Sequence, residues 1–283
     1  MQNTENGQSI NYTDVLVALL PSCFSAFFLF GIRGAGVLAV CAAVSLLSGF
    51  LLGRIPGSCI TPAESAVSGL LTGFLLPARV SMILAAACAV AAVGIAVLSR
   101  SVFGREPVHP VALTRLVAGV LFPALNLGSY PATTGIADSA VFLEGIGELT
   151  SADLMAYLTG YRAGMIGEGC IIALIAGGLY LMFRGTVRAD VPVLTVLSCF
   201  ALSFVFGGGF AVFSVLSGCL VFAAVFLGSY ETLLPETRAG KLVFALCAGL
   251  TAALIRGIFR YEGILIALIA ALILIPLFNR IRK

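Results

Sequence analysis

Of 283 residues, 60% are hydrophobic and only 10% charged, with a mean hydropathy of +1.11 and a formal net charge of +3. Soluble domains carry about 25% charged residues, so this composition excludes a soluble globular protein. So small a net charge leaves no electrostatic footprint for nucleic acid. The predicted fold class is all-α, a polytopic membrane protein embedded in a lipid bilayer.

In chain order, residues 1–13 form a polar, acidic tail without the basic stretch of a cleaved signal peptide. The first apolar segment therefore reads as a retained membrane helix. A spanning helix needs about 20 apolar residues, and clear candidates fall at 14–31, 35–53, 80–98, 164–183, 191–207, 210–228, 241–258 and 262–278. Two shorter segments join them. Residues 64–76 stop at Pro77, and residues 111–126 contain Arg115 and Pro123. Short helices interrupted by Gly or Pro within a membrane tend to end at buried sites, where half-helix termini leave backbone groups to be satisfied. The count is then about ten transmembrane helices, with a membrane domain over 14–278 and a second tail at 279–283.

An even number of crossings puts both termini on one side. With the N-terminus inside, ten basic residues fall in inner loops, among them Arg54, Arg100 and Lys283. Five fall outside: Arg33, Arg79, Arg162, Arg256 and Arg260. The positive-inside rule then places both ends in the cytoplasm. It also places the loop over about 128–161 outside, with Asp138, Glu144, Glu148 and Asp153 and no base before Arg162. The halves echo each other: Val67-Ser-Gly-Leu-Leu71 resembles Leu216-Ser-Gly-Cys-Leu220, and Ile32-Arg-Gly34 resembles Phe183-Arg-Gly185. The expectation is two five-helix repeats, about 14–127 and 162–278, with short broken helices facing the repeat interface.

Polar chemistry is sparse. The eight cysteines lie mostly in apolar runs and form no C-x-x-C pair, so they read as small buried apolar residues rather than metal ligands. His109, the single histidine, stands near Arg105 and Glu106 in an inner loop and reads as solvated or capping. The conspicuous interruption is Gly160-Tyr-Arg-Ala-Gly-Met-Ile-Gly-Glu168. Charges inside a bilayer cost a few kcal/mol each and normally face protein, water or a ligand. Arg162 and Glu168, six apart, are either a cofactor or ion contact or a structural pair between helices.

Several stretches, in order, resemble the D subunit of Rnf electron-transport complexes, related to the B subunit of the Na+-pumping NADH:quinone reductase. They are Asp14-Val-Leu-Val-Ala-Leu-Leu-Pro21, Ser65-Ala-Val-Ser-Gly-Leu-Leu-Thr-Gly73, Phe103-Gly104 with His109-Pro110 and Arg115, Arg162-Ala-Gly-Met-Ile-Gly-Glu168 and Leu216-Ser-Gly218. The resemblance implies a ten-helix subunit of the bacterial or archaeal cytoplasmic membrane. It would couple electron transfer to Na+ or H+ translocation, with other membrane and peripheral subunits of an Rnf-type complex as partners. It also implies a flavin, FMN or riboflavin, usually esterified to a threonine in an Asp-x-x-Ser/Thr-Gly-Ala-Thr motif.

Here that stretch corresponds to Thr134-Gly-Ile-Ala-Asp-Ser-Ala140, with Ala140 at the acceptor position. Alanine has no hydroxyl to esterify, so any flavin is expected to be non-covalent. The candidate cofactor contacts are Arg115, Thr134, Ser139, Arg162 and Glu168. Arg115 could offer a bidentate guanidinium to a phosphate or quinone oxygen, or serve Glu64, Glu168 or a half-helix C-terminus. The alternatives to a redox subunit are a small-solute transporter or channel and a cofactor-free scaffold.

Overall fold

The computed structural model describes residues 11–54, 60–103, 108–122, 125, 151–161, 164–216, 219–228, 234–235, 237–259, 266 and 270. The tails 1–10 and 279–283, most of the outer loop and nearly all of the final segment 262–278 lie outside the described residues. Among those described, every regular element is helical, and the chain is an all-α polytopic membrane protein.

Helix α1 runs Tyr12–Leu52, opened by Asn11, whose side chain accepts the Thr13 N–H. At about 1.5 Å per residue its 41 residues would span about 60 Å, twice a hydrocarbon core of about 30 Å. The break is at Gly31, with φ 63° and ψ −155°, a conformation open to glycine and strained for other residues. The two arms, 12–30 and 32–52, match the expected pair of segments, but the second begins three residues before its expected start at 35.

Helix α2, Pro62–Phe74, is the expected short element. Thr61 accepts the Glu64 N–H at 3.2 Å and Pro62 takes the first helical position, a start signal legible as Thr-Pro-Ala-Glu. The helix ends before Leu75-Leu76-Pro77, and Pro77 cannot extend it. Helix α3, Met82–Phe103, is a full span with Arg100 in its last turn; Arg100 forks onto the buried Glu64 at the foot of α2. Helix α4, Pro110–Leu121, is again short.

Further along, α5 covers Ser151–Thr159, α6 Ile171–Phe183 and α7 Asp190–Ser203. The expected single span 210–228 is a bent pair: α8, Gly208–Leu216, and α9, Leu220–Leu227, cross at 55°. Helix α10, Arg238–Phe259, completes the described helices. Only α1, α3 and α10 are long and apolar enough to cross a membrane alone among the described residues.

Small residues set the packing, as expected where lipid gives helices no hydrophobic drive to associate. Gly69 of α2 lies against the Cys41 carbonyl and Ser45 of α1. Cys41 Sγ and Ser45 Oγ donate to the Ala85 and Ala89 carbonyls of α3 at 3.6 and 3.5 Å. Gly177 of α6 meets the Ala18 carbonyl, and Gly249 of α10 meets Ser198 and the Thr195 carbonyl of α7. At the head of α1, Asp14 accepts from Arg184 Nε and Nη2, both at 3.2 Å, and from Thr186 at 3.3 Å, tying α1 to the end of α6.

His109 corrects the solvated reading. It is 6% exposed and precedes α4 without a side-chain capping bond. Burial pushes its imidazole down to about 4, so it is neutral at pH 7.

Candidate functional site

Three interruptions of helical structure meet at one place. The first is the C-terminal end of α2, at Phe74 to Leu76. The second is a 3-10 turn over Ile166–Glu168, immediately before α6. The third is the break between α8 and α9, where Cys219 takes a left-handed φ of 56°. The Ile166 N–H donates to the Leu76 carbonyl at 3.2 Å, joining the turn to the end of α2. Gly167 sits so close to Phe74 that an added Cβ would lie 2.9 Å from the Phe74 carbonyl. Phe74 in turn packs on Phe222 of α9, ring centroids 5.7 Å apart.

Glu168 stands at the centre of this junction, 4% exposed. The Cys219 thiol, across the helix break, donates to its Oε1 at 3.2 Å. Gly164 leaves room for the other oxygen; a Cβ there would lie 2.8 Å from Oε2. Beside the carboxylate is a recess of about 10 Å³ between α6 and α9, lined by Glu168, Ile171, Leu174, Cys219 and Leu220 among others. That is room for a single water-sized species. An acid this deep in an apolar protein is costly and is kept where it serves a function.

Arg115 reaches the same region from α4. Its Nε donates to the Leu75 carbonyl at 2.8 Å and its Nη2 to the Leu125 carbonyl at 3.1 Å. A cation at the C-terminal end of α2 complements the partial negative charge there and satisfies a carbonyl the helix leaves open. Among the roles open to Arg115 in the sequence, contact with a half-helix terminus is present in the geometry.

Thr134, Ser139, Ala140 and Arg162 lie outside the described residues, so Glu168 and Arg115 are the two predicted site residues whose surroundings are defined. They converge on the end of α2 from opposite elements. A flavin needs a pocket of roughly 300 Å³ or more, and Arg115 is already engaged by two carbonyls. In the described part of the junction the recess beside Glu168 is water-sized and Arg115 is held by the Leu75 and Leu125 carbonyls. Cys219 escaped the sequence reading. The signal was present in the internal echo, where Cys219 stands at the position of Leu70: a polarisable donor replaces a hydrocarbon. The two copies also differ in structure, since 67–71 is continuous helix in α2 while Cys219 sits at a break.

A model of the NQR2, RnfD, RnfE family matches residues 2–283. The chain belongs to that family. Among similar proteins is the D subunit of the proton-translocating ferredoxin:NAD(+) oxidoreductase complex of Clostridium ljungdahlii. It is 27% identical over 264 residues, covering 86% of this chain and 80% of that one. The D subunit of the Na(+)-translocating ferredoxin:NAD(+) oxidoreductase complex of Acetobacterium woodii is 25% identical over 280 residues, covering 95% and 87%. That of the ion-translocating oxidoreductase complex of Stutzerimonas stutzeri is 25% identical over 318 residues, covering 94% and 88%. Two of these relatives are named for different ions, so family membership leaves the ion open.

Proposed function

We propose that this chain is the D-type membrane subunit of an Rnf-type complex that couples electron transfer to translocation of Na+ or H+. It would work beside other membrane and peripheral subunits, with Glu168 as the acid that takes the ion. The observation that carries the reading is the buried Glu168 where three helix interruptions meet, in a chain the family model matches almost end to end. Half-helix ends at membrane depth are where ion and substrate sites form, because they bring backbone dipoles and carbonyls to one point. Arg115 holds the end of α2 so that this geometry persists. Conformational coupling to the redox partners would shift the affinity of Glu168 for its ion, which is what linkage between an electron step and an ion step requires.

Any flavin this subunit carries is held non-covalently, near the outer loop with Thr134 and Ser139, because Ala140 offers no oxygen for an ester. Solute transport, the competing class, shares the broken-helix architecture, and full-length similarity to subunits of redox complexes favours the redox reading. The test is affinity purification of the tagged chain from its native membrane. Co-purification with other subunits of such a complex, and ferredoxin- or NADH-dependent electron transfer by the isolate, is expected. Acid precipitation should leave no flavin on this chain's band. Purification as a lone protein that exchanges a solute across vesicles would refute the assignment.

A further inference from the structure

Cys219 is the only non-glycine residue with a positive φ among the described residues. The left-handed basin is strained for a residue with a Cβ, and glycine takes it freely. Strain of this kind persists where the surroundings over-determine it, and it gathers at functional sites. What holds Cys219 is visible: its side chain is 5% exposed and its thiol donates to Glu168 Oε1 at 3.2 Å. Two other buried cysteines behave differently. Cys41 donates to a helix carbonyl and Cys199 lies 4.0 Å from Ser203 Oγ. Cys219 reaches a carboxylate from a separate element, across a helix break, at the wall of the recess beside Glu168.

We propose that Cys219 is a positioning residue for Glu168. The thiol fixes one carboxylate oxygen, which orients the other and sets how the acid presents itself to its ion. The left-handed turn exists to aim that thiol, so the strain serves the site rather than the packing. This inference rests on Glu168 being the ion-binding acid of the proposed function. Two substitutions separate positioning from packing. Cys219→Gly removes both the thiol and the strain. Cys219→Ser keeps a donor of similar size at the same place.

The experiment uses the assembled complex in inverted native membrane vesicles and measures electron-driven ion uptake, Na+ and H+ assayed separately. Cys219→Gly should assemble with wild-type thermal stability or better, yet lose uptake about fivefold, the equivalent of one hydrogen bond of about 1 kcal/mol. Cys219→Ser should stay within about twofold of wild type. Uptake by Cys219→Gly at the wild-type rate would overturn the proposal and leave the thiol as filler.

An infrared difference spectrum of wild type against Cys219→Ser isolates the Cys219 S–H stretch among the other thiols. A band at the hydrogen-bonded position that moves to the unbonded position in Glu168→Leu supports the contact. A band indifferent to Glu168 overturns it. Should wild-type vesicles show no electron-driven uptake of either ion, the proposed function fails, and the infrared result still decides the contact on its own.

Discussion

Gly164 and Gly167 flank the turn that presents Glu168, and they should respond to the same substitution in opposite ways. A Cβ on Gly164 would meet the far end of the Glu168 side chain, which can swing aside. A Cβ on Gly167 would meet the Phe74 carbonyl, which cannot without moving α2. Gly167→Ala should therefore destabilise by about 1–3 kcal/mol, whereas Gly164→Ala should keep the melting temperature and lose ion uptake by displacing the carboxylate. Equal melting temperatures for the two variants would contradict the close approach at Phe74. Arg115→Leu leaves the Leu75 and Leu125 carbonyls without this donor, at about 1–3 kcal/mol for each buried group left unsatisfied. Its signature is lowered stability of the complex with flavin content per complex unchanged; flavin loss at wild-type stability would assign Arg115 to the cofactor instead. Arg115 and Glu168 were legible in the sequence because a charge in an apolar run is conspicuous. Cys219 was not, since a cysteine among Leu and Val reads as a small apolar residue and its φ is set by the break around it.

The helices were legible as elements, and their interruptions were less so. Hydropathy located α3 and α10, while the expected start of the short segment at 64 passed over the capping signal of Thr61, Pro62 and Glu64 that begins α2 at Pro62. Hydropathy does not see a bend, so 210–228 read as one span where the chain is broken between α8 and α9. Likewise Gly31 carries the break in α1, though neighbouring Gly34 and Gly36 look no different in sequence. Glycine serves two distinct purposes here, which alanine substitution should resolve. At Gly31 an added Cβ finds no atom within 4 Å, so the cost is the dihedral alone, about 1–2 kcal/mol. At Gly177 it would run into the Ala18 carbonyl, so α6 must move off α1. Detergent-unfolding midpoints should fall further for Gly177→Ala than for Gly31→Ala. The reverse order would mean that the close seating of α6 on α1 contributes less than the bend.

For the whole molecule, the distribution of basic residues makes a topological claim: both termini cytoplasmic and the segment 128–161 outside. A cysteine placed at Ser151 in a background without native cysteines should react with an impermeant maleimide in intact cells, and labelling only after permeabilisation would invert the arrangement. Composition alone fixed the membrane class, while the junction depends on residues far apart in sequence: Leu76, Arg115, Glu168 and Cys219. No local pattern places these together. If Glu168 handles the translocated ion, Glu168→Gln should stop it, since the amide keeps the shape and removes the charge. In inverted vesicles containing the assembled complex, electron transfer and uptake of Na+ and H+ are followed together. Coupled ion uptake should be abolished in Glu168→Gln with the complex intact, and uptake at the wild-type rate would take Glu168 out of the ion's path.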